Sequence, residues 1–397
     1  LDVIEEKLAR ARSGGALRVL DLFSGCGGLS LGFQRAGFKI AGAVEVDRDA
    51  AASHALNFHK DGNSKDLHSR ARDITKIEPA ELAAELAPGQ AIEGVIDVIV
   101  GGPPCQAFAR VGRAKLREVA EHPEAFRQDP RGNLYLRYLD YVAAFKPIAV
   151  LMENVPDALN YGGHNIAEEV CDALTARGFR CAYTLLNAVY YGVPEMRERM
   201  FVVAVSDRAD RSFRFPQPSR WVELPRGYEG SRQVALKHLE AKLAKRSQVS
   251  LLSGELEVVS SYYVPPPVAV RDLPYAVSAK EAISDLPPIT AHLEGKLKKG
   301  PQRFKTVTPY PVNGPLTDYA LLMRTWPGFE NDLGVKDHLI RVLSERDFEI
   351  FRRMCPGDEY PQAHRIALDI FAEAMEAKER ARASFSSITS MCPDKLL

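Results

Sequence analysis

The chain has 397 residues, 46% hydrophobic and 26% charged, with a formal net charge of zero. That is the ordinary balance of a soluble globular protein with a sizeable core and room for two or three domains, so any nucleic-acid binding must come from local basic patches. No apolar run approaches a membrane span, and the charged, helix-like opening LDVIEEKLARARSGG (1–15) is no secretory signal. Cys26, Cys105, Cys171, Cys181, Cys355 and Cys392 show no CxxC pairing, which suggests neither a zinc site nor a disulfide framework and fits a reducing cytoplasm.

From residue 18 strand and helix alternate. RVLDLF (18–23) reads as a buried strand, GGLSLGFQRAGF (27–38) as a helix and KIAGAVEV (39–46) as a second strand. DRDAAASHALNFH (47–59) is a helix opened by an acidic residue that suits its N-terminal end. VIDVIV (95–100) is a strand, followed by an aromatic-rich helix over 131–145 and a short strand, IAVLM (148–152). A helix over 164–177 leads to strands CAYTLLNAV (181–189) and MFVVAV (200–205). This βαβα rhythm predicts an α/β fold with a doubly wound, mostly parallel sheet. Near residue 207 prolines multiply and periodicity weakens, apart from helices near 276–285, 344–354 and 362–383. Three regions follow: a helical segment over 1–17, an α/β domain over 18–206 and a second, irregular region over 207–397.

Residues with chemistry collect at the strand ends. In DLFSGCGGLSLGF (21–33), Gly25, Gly27 and Gly28 allow close backbone approach and the helix start offers free N–H groups, a place for a nucleotide-like ligand. The dinucleotide fingerprint needs a third glycine where this chain has Ser30, which argues against a dehydrogenase. Glu45 ends the second strand, where a carboxylate can accept both ribose hydroxyls. Asp73 can accept from an adenine amino group. Alone, either is more often a surface or capping carboxylate, and only the strand-end context favours a ligand role.

"VGGPPCQAFARVG" (100–112) holds Cys105 on a stiff turn beyond a strand's carboxyl end, since two prolines can continue neither strand nor helix. An unpaired cysteine is commonly an inert core residue. Here LMENVP (151–156) puts Glu153 and Asn154 at the end of the next strand, and YYGVPEMRERMFVV (190–203) puts Arg197 and Arg199 at the entry to another. A cysteine, a carboxylic acid and an arginine at the ends of one sheet are the parts for nucleophilic attack with electrophilic activation. Basic clusters occur after Cys105 (Arg110, Arg113, Lys115, Arg117), in KLKKGPQRFK (296–305) with Lys296, Lys298 and Lys299, and over 207–246. Each alone reads first as a solvated surface.

Taken in order, DLFSGCGG, Glu45, RDI, GGPPCQAF, ENV and the arginine pair resemble the DNA (cytosine-5) methyltransferase family, of bacterial restriction–modification type, over residues 18–205. Weaker similarities, DLPPI (285–289), YALLMR (319–324) and DHLIRVLSERD (337–347), match that family's target-recognition region. The resemblance implies a Rossmann-like, S-adenosylmethionine-dependent enzyme acting on double-stranded DNA in the bacterial cytoplasm, beside the nucleoid. It implies Cys105 as the nucleophile that adds to cytosine C6, Glu153 at N3, Arg199 at O2, and Arg197 and Asn154 beside them. The base would be flipped out, Gln106, Arg110 and Arg113 in the loop closing over the strand would bind the DNA, and the target-recognition lysines would meet phosphates. The cofactor would lie against Asp21, Phe23, Ser24, Gly25, Cys26, Gly27, Gly28, Leu29, Glu45, Asp73, Ile74 and Pro104, with the Phe23 ring on its adenine. No metal is implied.

Three departures accompany the match. Ala109 stands where the family has serine, Glu195 where it has glutamine, and neither the Arg-Glu-Ala-rich helix nor the Gly-Asn-x-Val segment has a counterpart in 360–397 or at the N-terminus. On that last ground the chain is expected to be a fragment or one subunit of a split enzyme, completed by a downstream segment or second chain. A tRNA cytosine methyltransferase and a catalytically silent DNA-binding or partner subunit are the alternative readings.

Overall fold

The computed structural model describes residues 2–104, 134–160, 165–210, 212–225, 228, 236, 262–289, 307–311, 316–331, 333–336, 338, 344–355 and 357–391. Cys105, Gln106, Arg110, Arg113, Lys296, Lys298 and Lys299 lie outside the described residues.

Helix α1 (Val3–Arg12) precedes strand β1 (Arg18–Leu22), helix α2 (Gly28–Arg35), strand β2 (Lys39–Val44) and helix α3 (Arg48–Phe58). Three shorter helices, α4 (Gly62–His68), α5 (Pro79–Leu86) and α6 (Ile92–Val95), lead to strand β3 (Val98–Gly101). Helix α7 (Leu134–Phe145), strand β4 (Ala149–Asn154), helix α8 (Ile166–Thr175) and strands β5 (Phe179–Asn187) and β6 (Glu198–Ser206) complete the series. The sequence rhythm gives the strands within a few residues. It omits α4 to α6, whose short lengths and Gly, Asp and Pro content leave little helical period to read.

The strands form one six-stranded sheet in the order β2-β1-β3-β4-β6-β5. β1 pairs in parallel with β2 and β3, and β3 with β4, whereas β6 runs antiparallel to both β4 and β5. The chain leaves β1 toward β2 and then returns to place β3 on β1's other side. The carboxyl ends of β1 and β3 therefore flank a topological switch point, where open α/β sheets place their ligands. Because β6 is reversed, its first residues lie at that same end: Glu153 pairs with Phe201 and Asn154 with Met200.

One face of the sheet carries the main core. Tyr135, Tyr138, Tyr141 and Phe145 of α7 are buried there. The Tyr138 hydroxyl donates to the Leu151 carbonyl at 3.1 Å, and that of Tyr141 to the Ile77 carbonyl at 3.0 Å, so these two rings bury area without stranding their hydroxyls. At the amino ends of β1 and β3, opposite the switch point, α1 is fastened by charge. The buried Lys7 ammonium donates to the carbonyls of Ile96, Phe145 and Lys146. Asp97, whose side chain is fully buried, bridges Arg10 at 2.7 Å and Arg18 at 3.0 Å.

The chain divides into compact units at Leu1–Ser278 and Ala279–Leu397, whereas the sequence rhythm changes near 207. The described residues after β6 explain the difference. Tyr183 of β5 donates its N–H to the Tyr262 carbonyl and accepts from Val264 N–H, both at 2.9 Å, while Ala276 joins Val189 and Val222 in a small buried cluster and Trp221 bridges Tyr275. The second unit contains helices α9 (Ala279–Ile283), α10 (Asp318–Arg324), α11 (Glu345–Arg353) and α12 (Tyr360–Met391) and the two-residue antiparallel strands β7 (Val307–Thr308) and β8 (Val335–Lys336). Within it Arg324 stacks 3.4 Å above the Tyr310 ring and pairs with the buried Asp285 at 2.7 Å. No helix among the described residues is long and apolar enough to cross a membrane.

Candidate active site

The carboxyl ends of four strands, β1 to β4, and the start of β6 build the rim. β1 stops at Leu22, and Phe23 turns into the left-handed region (φ 59°), which a bulky side chain rarely adopts. Its N–H and that of Ser24 both reach the Val44 carbonyl of β2, at 2.9 and 3.4 Å, so the glycine turn begins pinned to β2. Gly25 (φ 53°) and Gly27 (φ 100°) are left-handed too. Gly27 has a second reason to be glycine: a Cβ there would lie 2.3 Å from the Phe58 ring and 3.0 Å from His54.

Glu45 closes the turn from the other side. One carboxylate oxygen accepts the Gly25 N–H and the other the Asp47 N–H, both at 2.8 Å. Each oxygen keeps lone-pair capacity for a further donor. The Glu45 carbonyl accepts the Arg72 N–H, which draws Asp73 to the same rim. Asp73 itself accepts from the Thr75 N–H at 3.0 Å and hydroxyl at 2.7 Å and pairs with Lys76 at 3.1 Å. Burial would raise its carboxyl, but these donors outweigh it and hold the group below the usual range. Val46, beside Glu45, leaves 66% of its surface exposed, an apolar ledge that the sequence did not single out.

The remaining sequence-chosen residues of this half divide in their placement. Cys26 and Gly28 are exposed on the turn, and Ser24 is buried within it. Leu29 instead packs against the Val19–Ile40–Val98–Val100 cluster, and Ile74 is buried in the main core. Asp21 is fully buried under the turn.

The other half is set by two glycines and two prolines. A Cβ on Gly101 would come within 2.3 Å of the Leu22 carbonyl oxygen, so only glycine lets β3 lie this close to β1. A Cβ on Gly102 would lie 2.9 Å from Glu153 Oε2, so Gly102 leaves the space the carboxylate occupies. Asn154 donates its amide N–H to the Pro103 carbonyl at 2.9 Å, while its own amide oxygen accepts the Val155 N–H at 2.8 Å. It is a strut between the end of β4 and the proline turn. Pro104 is exposed at the last described position before Cys105.

Glu153 and Arg199 meet across β4 and β6, with Arg199 Nε 2.8 Å from Glu153 Oε1. Burial raises the Glu153 carboxyl above its ordinary value, opposed by Arg199 and then Arg197. Arg197 is half-exposed and 3.5 Å from Glu195. Sequence reasoning missed the residue that shapes this loop. The buried Asn187 accepts the N–H groups of Val189 at 3.3 Å and Arg197 at 3.1 Å, clamping the segment between β5 and β6. An asparagine closing an apolar strand was the available signal.

The structure thus brings Glu45, Asp73 and the glycine turn together on one part of the rim, and Glu153, Arg199 and the proline turn on another. Against known proteins, the model of the C-5 cytosine-specific DNA methylase family matches residues 17–256. A protein of Oceanobacillus iheyensis named as a type II methyltransferase, M.OihORF3336P, is 35% identical over 359 residues, 90% of this chain and 71% of that protein. The type II methyltransferase M.AquIA of a Picosynechococcus strain is 33% identical, over 51% of this chain and 76% of its own length. Among solved structures, a DNA modification methyltransferase from an E. coli prophage aligns with 27% identity and a TM-score of 0.37, covering 50% of this chain and 49% of that one.

Proposed function

Since the chain belongs to the C-5 cytosine-specific DNA methylase family, we propose that it transfers a methyl group from S-adenosylmethionine to C5 of cytosine in double-stranded DNA, as a type II modification enzyme. The observation that carries the reading is the Glu153–Arg199 pair, set over the side-chain-free Gly102 and near the Pro103–Pro104 turn that precedes Cys105 in the sequence.

The rim suits the cofactor. The Phe23 ring and the exposed Val46 offer apolar surfaces for a flat base, Glu45 retains acceptor capacity for ribose hydroxyls, and the left-handed glycines bring backbone close to a ligand. When bound, S-adenosylmethionine supplies an electrophilic methyl group on a sulfonium centre.

Cytosine C5 is a weak nucleophile, and the protein's task is to make it a strong one. The Cys105 thiolate forms a bond to C6, and the C5–C6 π pair shifts toward C4 and N3. Glu153, whose carboxyl burial holds toward its protonated form, donates to N3 as charge gathers there. Arg199 orients Glu153 and donates to O2. C5 then takes the methyl group, loses its proton to a base, and the pair returning to C5–C6 expels the thiolate. A base stacked in a duplex cannot be reached this way, so it must be flipped out, at about a few kcal/mol. The basic segment after Cys105 and the lysines near 296 would meet the strand.

The test is tritiated-methyl incorporation by the full chain into unmethylated duplex DNA and, in parallel, into tRNA. Label at C5 of DNA cytosine supports the reading. Label confined to tRNA, or none in the presence of bound cofactor, overturns it.

A further inference from the structure

Beneath the glycine turn lies a closed polar relay unused by the chemistry above. The Asp21 carboxylate, at the end of β1, accepts the Ser30 hydroxyl at 2.7 Å and the Ser30 N–H at 3.2 Å on the same oxygen, Oδ2. The Ser30 hydroxyl lies 3.0 Å from His54 Nε2 on α3. All three side chains are 0% exposed. Asp21 Oδ1 and His54 Nδ1 are buried with no hydrogen-bond partner among the described residues. The Ser30 hydroxyl has one proton, which it gives to Asp21, so its contact with His54 requires Nε2 to carry the imidazole proton. His54 also forms, with Phe58, the floor on which Gly27 rests without a Cβ.

We propose that Ser30 and His54 are positioning residues for the cofactor: they hold the Asp21 carboxylate under the glycine turn and so make cofactor affinity depend on whether Asp21 carries its proton. This rests on the reading of the rim as an S-adenosylmethionine site.

The electrostatics agree with the geometry. Burial pushes the Asp21 carboxyl up to about 7; the two Ser30 donors pull it down and the Glu45 carboxylate pushes it further up. From α7 the Tyr138 ring also faces Asp21, but its hydroxyl is committed to the Leu151 carbonyl and burial keeps it neutral. From α3, burial pushes His54 down to about 4, helped by His59. His59, stacked on His68 with ring centroids 3.4 Å apart, is held down as well, to about 3, and His68 to about 4, both chiefly by burial. The relay therefore faces no cation near neutral pH. A ligand carrying sulfonium and ammonium charges supplies the missing counter-charge and favours ionised Asp21.

Binding of S-adenosylmethionine to the full chain is measured by calorimetry from pH 5.5 to 8.5. Affinity is expected to rise with pH, by about tenfold between pH 6 and pH 8, because only the ionised fraction is competent. Ser30→Ala removes a donor to the charged carboxylate, so Asp21 keeps its proton to higher pH and the midpoint moves up by about one pH unit. Ser30→Thr, which keeps the hydroxyl, returns it. His54→Phe, which frees the Ser30 hydroxyl to rotate, moves it the same way by less and serves should the alanine variant fail to fold. A pH profile that is flat in the wild type, or identical in wild type and a folded relay variant, overturns the proposal while leaving the cofactor site standing. No binding at any pH overturns the cofactor reading itself, and this inference with it.

Discussion

Two adjacent glycines make opposite predictions. At Gly102 an alanine Cβ would stand 2.9 Å from Glu153 Oε2, and the obstacle is the tip of a flexible side chain. The carboxylate can swing aside for about 1 kcal/mol, the cost of an off-rotamer side chain, so Gly102→Ala should fold with nearly wild-type stability. The swing breaks the 2.8 Å register with Arg199, and a displacement of roughly 1 Å in a reacting group costs about 10²-fold in rate. At Gly101 the Cβ would stand 2.3 Å from a backbone oxygen of the neighbouring strand, which moves only if β1 and β3 part. Gly101→Ala should therefore lose about 3 kcal/mol or more of stability. Urea midpoints read the stability of both variants, and steady-state methyl transfer reads the activity of Gly102→Ala. Full turnover by Gly102→Ala, or a Gly101→Ala variant as stable as the wild type, would refute the reasoning.

Glu153→Gln should lower turnover by about 10²–10³ with DNA affinity unchanged, since its bond strengthens only as charge develops on the ring; filter binding beside the transfer assay separates the two. Asp97→Ala leaves Arg10 and Arg18 without their shared buried partner and should cost about 3 kcal/mol, measured by denaturant unfolding. Burial alone would raise the Asp97 carboxyl, but Arg18 and Arg10 hold it below its ordinary 3.8, so its contribution is complete above that value and fades as pH falls through the lower folded one. Neutralising Lys296, Lys298 and Lys299 should weaken binding equally on all DNA sequences and flatten its salt dependence; an unchanged slope would make the cluster a plain solvated surface.

Much of this architecture is written locally. Continuous apolar runs such as VIDVIV mark strands buried on both faces, and the glycine and proline turns mark where they end, so the parallel sheet is readable without coordinates. The reversed β6 is not, because its insertion between β4 and β5 depends on pairing rather than on its own pattern. Nor is the attachment of 262–278 to the rest of the first unit, which rests on backbone bonds at Tyr183 and Trp221 and on the Val189–Val222–Ala276 cluster. At the rim, residue types at strand ends single out Glu45, Glu153 and Arg199. The supporting contacts are long-range, with His54 reaching Ser30 across two elements under the rim and Lys7 reaching Ile96 and Phe145 at the opposite end of the sheet. Polar residues inside apolar stretches, such as Asp97 and Asn187, signal that a partner exists without saying which.

The central claim is that Cys105 bonds covalently to cytosine C6 before the methyl group moves. Duplex DNA with 5-fluorocytosine at the target cannot release the enzyme, because C5 then carries no proton to lose. Incubated with the full chain and S-adenosylmethionine, it should give a denaturation-resistant protein–DNA complex that Cys105→Ala abolishes. Trapping that survives Cys105→Ala, or methyl transfer to ordinary cytosine by that variant, would contradict the account.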